Sequence, residues 1–289
     1  MTPPTPPRRS VLYVPGSNAR ALAKAHTLAA DAFIFDLEDA VAPDAKATAR
    51  TNVALALAEA DFGGRERVVR VNGLSTPWGL ADLRSLAALP SGLVDAVALP
   101  KVESPMEVAA VRRVLAAEMP LWCMVETPRG VLAAAEIARA GGVTALVAGT
   151  SDLSKDLRVR PHPERLPLLH ALSHLVLAAR AAGVAVLDGV CLDLDDDAAF
   201  ERESLQGVAL GFDGKTLIHP KTIAAANRLF GPSPEELASA ARVVEAGERA
   251  LAAGLGVVVV DGRLVENLHV EAARRLLAQA AAIAAAGRG

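Results

Sequence analysis

Acidic side chains repeatedly end short apolar runs in this 289-residue chain, and they are the residues best suited to do chemistry. Asp36, Glu38 and Asp39 follow A-F-I-F, Glu126 follows L-W-C-M-V, and Asp152 follows A-L-V-A-G-T-S. Asp188 and Asp213 close two later runs, while Arg70, Asn72, Lys101 and Lys215 occupy matching places as polar or cationic counterparts. A carboxylate at the end of a buried strand is costly unless something pairs with it. Several brought together repel unless a cation or a proton intervenes. Oxygen donors with no His or Cys cluster suit Mg²⁺ or Mn²⁺ rather than zinc. Glu126 is therefore expected to bind a hard divalent metal, with Asp152 as its partner.

Other acids and histidines have simpler readings. Asp152 in T-S-D-L could cap the helix that follows it. Asp193, Asp195, Asp196 and Asp197 are expected to open a helix, where the helix dipole favours negative charge. His170 and His174, four apart, are expected on a helix face, and His219 of L-I-H-P is expected to make a structural hydrogen bond.

The elements that must position these groups follow from periodicity. Eight β-rich runs, at 10–16, 32–39, 68–73, 96–101, 121–127, 145–152, 184–189 and 207–215, alternate with longer segments of helical period. Their apolar parts are continuous, as in strands covered on both faces. Eight strand–helix units in about 220 residues point to an α/β fold, a (β/α)₈ TIM barrel, which collects its chemistry at the C-terminal ends of its strands. Residues 1–9 read as a disordered Pro-rich tail, 10–231 as the barrel and 232–289 as a C-terminal helical extension. In the extension, Ser233 is expected as an N-cap with Pro234 at the first helical position. A hairpin-like L-G-V-V-V-V-D-G-R-L-V-E-N follows, then a final helix through Ala285. Such an extension suits a lid or an oligomer contact.

Composition narrows the function classes. The net charge of −3, with one Tyr and two Trp, offers neither the basic footprint nor the stacking platform of a nucleic-acid binder. No run reaches the roughly 18 apolar residues of a membrane helix. The N-terminus lacks the apolar segment of a secretory signal. Cys123 and Cys191 lie in or beside apolar runs and are expected to be buried and reduced. A cytoplasmic protein is the expectation.

Seven motifs in order, R-R-S-V-L-Y-V-P-G-S-N, F-D-L-E-D-A-V, R-V-N-G, L-P-K-V-E, V-E-T-P-R-G, G-T-S-D-L and G-F-D-G-K-T-L-I-H-P, make the chain recognisable. Together they resemble the citrate lyase β-subunit (CitE-like) branch of the HpcH/HpaI aldolase family, which also holds malyl-CoA and citramalyl-CoA lyases. The resemblance covers nearly the whole chain after the Pro-rich tail. It implies a TIM barrel that uses Mg²⁺ to make or break a carbon–carbon bond next to a thioester carbonyl. By motif, Glu126 and Asp152 match the metal ligands, and Arg70 matches the group that contacts the substrate carboxylate and thioester oxygen. Arginine stays charged at ordinary pH, so that role is electrostatic. Glu38 and Asp39 match the acids around the arginine and the metal's waters, and Arg20 and Lys24 match a region that meets CoA phosphates.

The implied activity is Mg²⁺-dependent cleavage of a citryl-, citramalyl- or malyl-type thioester to acetyl-CoA, or a homologue, and a 2-oxo acid. An acyl-carrier protein is an alternative carrier of the thioester. A CoA-independent pyruvate-enolate class II aldolase and a non-catalytic 2-oxo-acid-binding subunit are the rival functions. The resemblance also implies a homo-oligomer, a trimer or a multiple, in which an acid of the extension reaches a neighbouring barrel. The family pattern places aspartate there; this chain has Glu266 in D-G-R-L-V-E-N, one methylene longer.

Overall fold

The continuous apolar runs form strands because each is covered twice, by its neighbours' side chains inside a barrel and by helices outside it. The computed structural model describes residues 6–287. Its parallel strands are β1 Ser10–Pro15, β2 Ala32–Asp36, β3 Glu66–Arg70, β4 Ala96–Leu99, β5 Leu121–Val125, β6 Val143–Ala148, β7 Ala185–Asp188 and β8 Gly214–Leu217. They pair in chain order and close through β8 and β1, where Val11 registers with Thr216. Helices cross between successive strands, so the molecule is the expected (β/α)₈ TIM barrel.

Side-chain alternation sorts each strand into two faces. Val11, Tyr13, Ala32, Ile34, Val68, Ala96, Ala98, Trp122, Met124, Ala145, Val147 and Leu187 fill the barrel interior. The alanines of β4 face inward in the same cluster as Trp122, a small-against-large packing that spares the interior a void. The alternate residues, among them Phe33, Phe35, Val69, Val97, Leu99, Cys123 and Val125, pack against the helices. Counting by twos continues the inward face from Ile34 to Asp36, from Val68 to Arg70 and from Met124 to Glu126. Those three polar side chains form the rim on top of the apolar filling.

The extension consists of the helix Pro234–Ala252, an antiparallel hairpin of β9 Val257–Val260 and β10 Arg263–Glu266, and the helix Asn267–Ala285. Ser233 caps the first helix through a reciprocal pair with Glu236, as its sequence position predicts.

Four details depart from the sequence reading. Strand eight is shorter than 207–215: Gly207–Leu210 closes the helix Asp197–Leu210, and Gly211 at φ +98° terminates it. A short apolar run such as V-A-L fits either period, and the glycine decides the break. Residues 8 and 9 do not belong to a disordered tail. Arg8 pairs with Glu66 at 2.6 Å and Arg9 with Asp31 at 2.9 Å, both arginines buried; residues 1–5 of that tail lie outside the described residues. Asp213 sits just before β8, at the opposite end from the mouth, bonded to Arg180 and the Val186 amide. Asp188 and Lys215 leave the barrel rim altogether. Leu187 faces inward, so Asp188 faces the helices, where it meets Lys215 at 3.0 Å and Arg165 at 2.8 Å with no exposure.

The remaining readings hold. Asp196 caps the helix Asp197–Leu210, and His219 accepts from the Lys221 amide. His170 and His174 stack on one helix. Cys123 and Cys191 are buried and unpaired. No described helix is long and apolar enough to cross a membrane.

Candidate active site

The rim is organised around Arg70. Its Nε and Nη2 donate to the two oxygens of Asp36, each at 2.6 Å. This is a bidentate pair between adjacent strand ends, since Asp36 and Arg70 are register partners. Arg70 Nη1 then faces Glu38 Oε2 at 2.9 Å and Asp39 Oδ2 at 3.2 Å. The guanidinium carbon lies 4.9 Å from the centroid of the Tyr13 ring, stacked on the interior filling. Burial works against its charge, but Asp36 and Glu38 more than offset that and hold it protonated.

Asp36 is the residue that sequence reasoning placed at the rim without assigning it a role. It is 1% exposed and accepts four hydrogen bonds, two from Arg70 and two from the amides of Glu38 and Ala40. The turn carrying Glu38 and Asp39 is thus wrapped onto the same carboxylate that fixes Arg70.

Lys101 joins the other acids. Its amide donates to Glu126 Oε1 at 2.7 Å, and its ammonium lies 3.2 Å from both Glu38 Oε1 and Asp152 Oδ2. Glu126 directly follows β5 and is 3% exposed, while Asp152 stands in the first turn of the helix Thr150–Leu157 that follows β6. Gly149 makes room for the glutamate, because a methyl group there would overlap Glu126 Cβ and Oε2. Burial, then the charge of Glu38, pushes the Glu126 carboxyl up to about 7. Burial also raises Glu38, against the pull of Arg70.

The donor set fits a hard divalent cation. Glu38 and Asp152 share the Lys101 ammonium and Glu126 takes the Lys101 amide, so all the donors brought together here are carboxylate oxygens. Among the described residues no three His, Cys, Asp or Glu side chains form a ready-made cage. Mg²⁺ commonly takes one or two carboxylates and completes its octahedron with waters and substrate oxygens. Glu126 and Asp152 would hold it.

A cavity of about 210 Å³ opens beside Glu38 and Lys101, walled by Val71, Leu74, Leu99 and Val102. Arg20 and Lys24 are exposed on the helix Ala19–Ala25, which leaves the top of β1. Glu266 is exposed at the junction of β10 and the last helix, and its amide donates to His269 Nδ1 at 3.0 Å. The structure thus gathers Glu38, Asp39, Arg70, Glu126 and Asp152 at one mouth. Arg20 and Lys24 stand apart from that cluster, and Glu266 lies in the extension.

The sequence pattern of the HpcH/HpaI aldolase/citrate lyase family matches residues 9–220. The (3S)-malyl-CoA thioesterase of Cereibacter sphaeroides (strain KD131) is 50% identical over 279 residues, covering 96% of each chain. The citrate lyase subunit beta of Escherichia coli K12 is 38% identical, covering 94% of this chain and 93% of that one. Among solved structures, CitE from Mycobacterium tuberculosis in complex with magnesium, acetoacetate and coenzyme A superposes with a TM-score of 0.78 at 32% identity. It covers 94% of this chain and 97% of its own.

Proposed function

The chain belongs to the HpcH/HpaI aldolase/citrate lyase family, and from that premise we propose that it cleaves a 3-hydroxyacyl-CoA thioester of malyl, citramalyl or citryl type. It is an enzyme of a lyase family whose metal is magnesium. The observation that carries the proposal is the rim itself, one anchored guanidinium facing a group of carboxylates suited to a divalent ion.

In the proposed cleavage the C3 hydroxyl loses its proton, the C2–C3 bond breaks, and its electron pair passes to C2 as a thioester enolate. C3 becomes the carbonyl of the oxo acid, and protonation of C2 completes acetyl-CoA or its homologue. Bound Mg²⁺ supplies Lewis acidity toward the hydroxyl and carboxylate oxygens. Arg70 Nη1, the end of the guanidinium not committed to Asp36, serves the oxygen on which the enolate charge grows in exchange for its 3.2 Å contact with the exposed Asp39; removing such a donor typically costs about 3–4 kcal/mol of transition-state stabilisation. Glu38 and Asp39 flank that edge, and we assign them the hydroxyl proton. The apolar cavity beside Lys101 suits the thioester arm, and Arg20 with Lys24 suit its phosphates.

A second reading is hydrolysis, in which water attacks the thioester carbonyl and releases a hydroxy acid and a thiol. The 50% identity to (3S)-malyl-CoA thioesterases favours it. Malyl-CoA separates the two readings in one assay with Mg²⁺. Carbon–carbon cleavage produces glyoxylate and no free thiol, whereas hydrolysis produces thiol and no glyoxylate. Failure of malyl-, citramalyl- and citryl-CoA to react, together with tight 2-oxo-acid binding, would leave a binding subunit. Repeating the assay with the acyl group on an acyl-carrier protein identifies the carrier. We further propose a homo-oligomer, on the strength of the extension, and a cytoplasmic setting, in keeping with two buried, unpaired cysteines.

A further inference from the structure

Lys101 touches acids that follow three different strands of the barrel. Its amide holds Glu126, just beyond β5, and its ammonium bridges Glu38, beyond β2, and Asp152, beyond β6. The backbone needed for this is unusual. Lys101 has φ +51°, a left-handed conformation that costs a non-glycine residue energy and persists only where its surroundings enforce it. The acids are the evident enforcement, since the twist aims the amide at Glu126 while leaving the side chain free to lie across the mouth.

The same acids are the ones that would hold the metal. Asp152 cannot give its Oδ2 fully to both an ammonium and a divalent ion, because the two cations would repel at that separation. We propose that Lys101 is a built-in competitor for the metal, a positioning residue that neutralises Asp152 and Glu38 in the metal-free site and must yield Asp152 when Mg²⁺ binds. This rests on the reading of Glu126 and Asp152 as the metal ligands. Two consequences have opposite signs. Lys101 stabilises the empty mouth by standing between carboxylates that would otherwise repel. It weakens metal binding by the free energy of the contact that must be given up.

The experiment is titration calorimetry of Mg²⁺ into metal-stripped full-length protein, with thermal melting of the same samples. Lys101→Met keeps the length and apolar stem, loses the charge and retains the amide that holds Glu126. Its Mg²⁺ affinity should rise about fivefold to tenfold, the scale set by losing a half-exposed ion pair together with the mutual repulsion it screened. Its metal-free melting temperature should fall, and saturating Mg²⁺ should raise it by more than in the wild type. Lys101→Arg keeps the charge and should stay within about twofold of wild-type affinity, on the same scale. If Lys101 served only as scaffold, both variants would bind Mg²⁺ like the wild type.

Unchanged or weaker binding in a folded Lys101→Met protein overturns the competition. Should Lys101→Met fail to fold, Lys101→Gln supplies the same neutral comparison. A wild type that binds no Mg²⁺, or that binds it equally well as Glu126→Gln, removes the metal site and the competition with it. That outcome is distinct from failure of the competition alone.

Discussion

Replacing Asp36 by Asn tests whether the rim hangs on this one buried carboxylate. Oδ1 accepts from Arg70 Nε and from the Glu38 amide, and Oδ2 accepts from Arg70 Nη2 and from the Ala40 amide. An asparagine has one oxygen and one NH₂ group. Whichever way it turns, two of the four donors face another donor, and the charge opposite Arg70 is gone. The site is 1% exposed, so water cannot make good the loss. Breaking a buried ion pair from one side typically costs about 3–5 kcal/mol, which a fold stable by roughly 5–15 kcal/mol survives. For a chain of this size that corresponds to a fall in melting temperature of roughly 10 °C. Thermal and urea unfolding measure it, and the lost anchorage of Arg70 should appear separately as slower thioester turnover at a temperature where the variant is folded. A melting temperature within about 2 °C of the wild type, less than 1 kcal/mol on that scale, with unaltered turnover would refute the anchoring role.

Three other perturbations follow from the geometry. Gly149 has φ −92°, so alanine is tolerated by the backbone, yet its methyl would overlap Glu126; Gly149→Ala should leave the barrel folded while weakening Mg²⁺ binding by about tenfold or more in calorimetry. Burial alone would raise the Asp188 carboxyl, but Lys215 and Arg165 outweigh it and hold it below the usual range. Its stabilising contribution is therefore complete above the unfolded carboxyl value and lost as pH falls through the lower folded one, so Asp188→Asn should flatten the decline of melting temperature below about pH 4 while lowering stability at neutral pH. Glu266→Gln should slow turnover while sparing Mg²⁺ and 2-oxo-acid binding, and mixing it with inactive Glu126→Ala subunits should restore part of the activity; unchanged turnover would leave Glu266 as the start of the last helix and nothing more.

How much of this site was legible in the sequence depends on which physical rule carried the information. The barrel was, because eight doubly covered strands leave continuous apolar runs, and Glu126, Asp152 and Arg70 stand at the ends of such runs. A strand end alone does not decide direction, however. Alternation does: Ile34 inward puts Asp36 inward, and Leu187 inward turns Asp188 and its partner Lys215 toward the helices. Strand ends without that count gave Asp36 no role and set Asp188 at the mouth. The left-handed backbone of Lys101 leaves no trace in L-P-K-V-E, since it is imposed by acids distant in the chain. It matters because of the charge balance it serves. Asp36, Glu38, Asp39, Glu126 and Asp152 pair with Arg70 and Lys101, and the Lys46 ammonium on the Glu38 carbonyl adds a third positive charge, five carboxylates against three cations, or −2 if all are ionised. Part of that excess is met by the proton that Glu126 retains up to about pH 7. On the proposed reading Mg²⁺ brings the total to zero, and only then does a mouth built of acids become a place that an anionic thioester can enter.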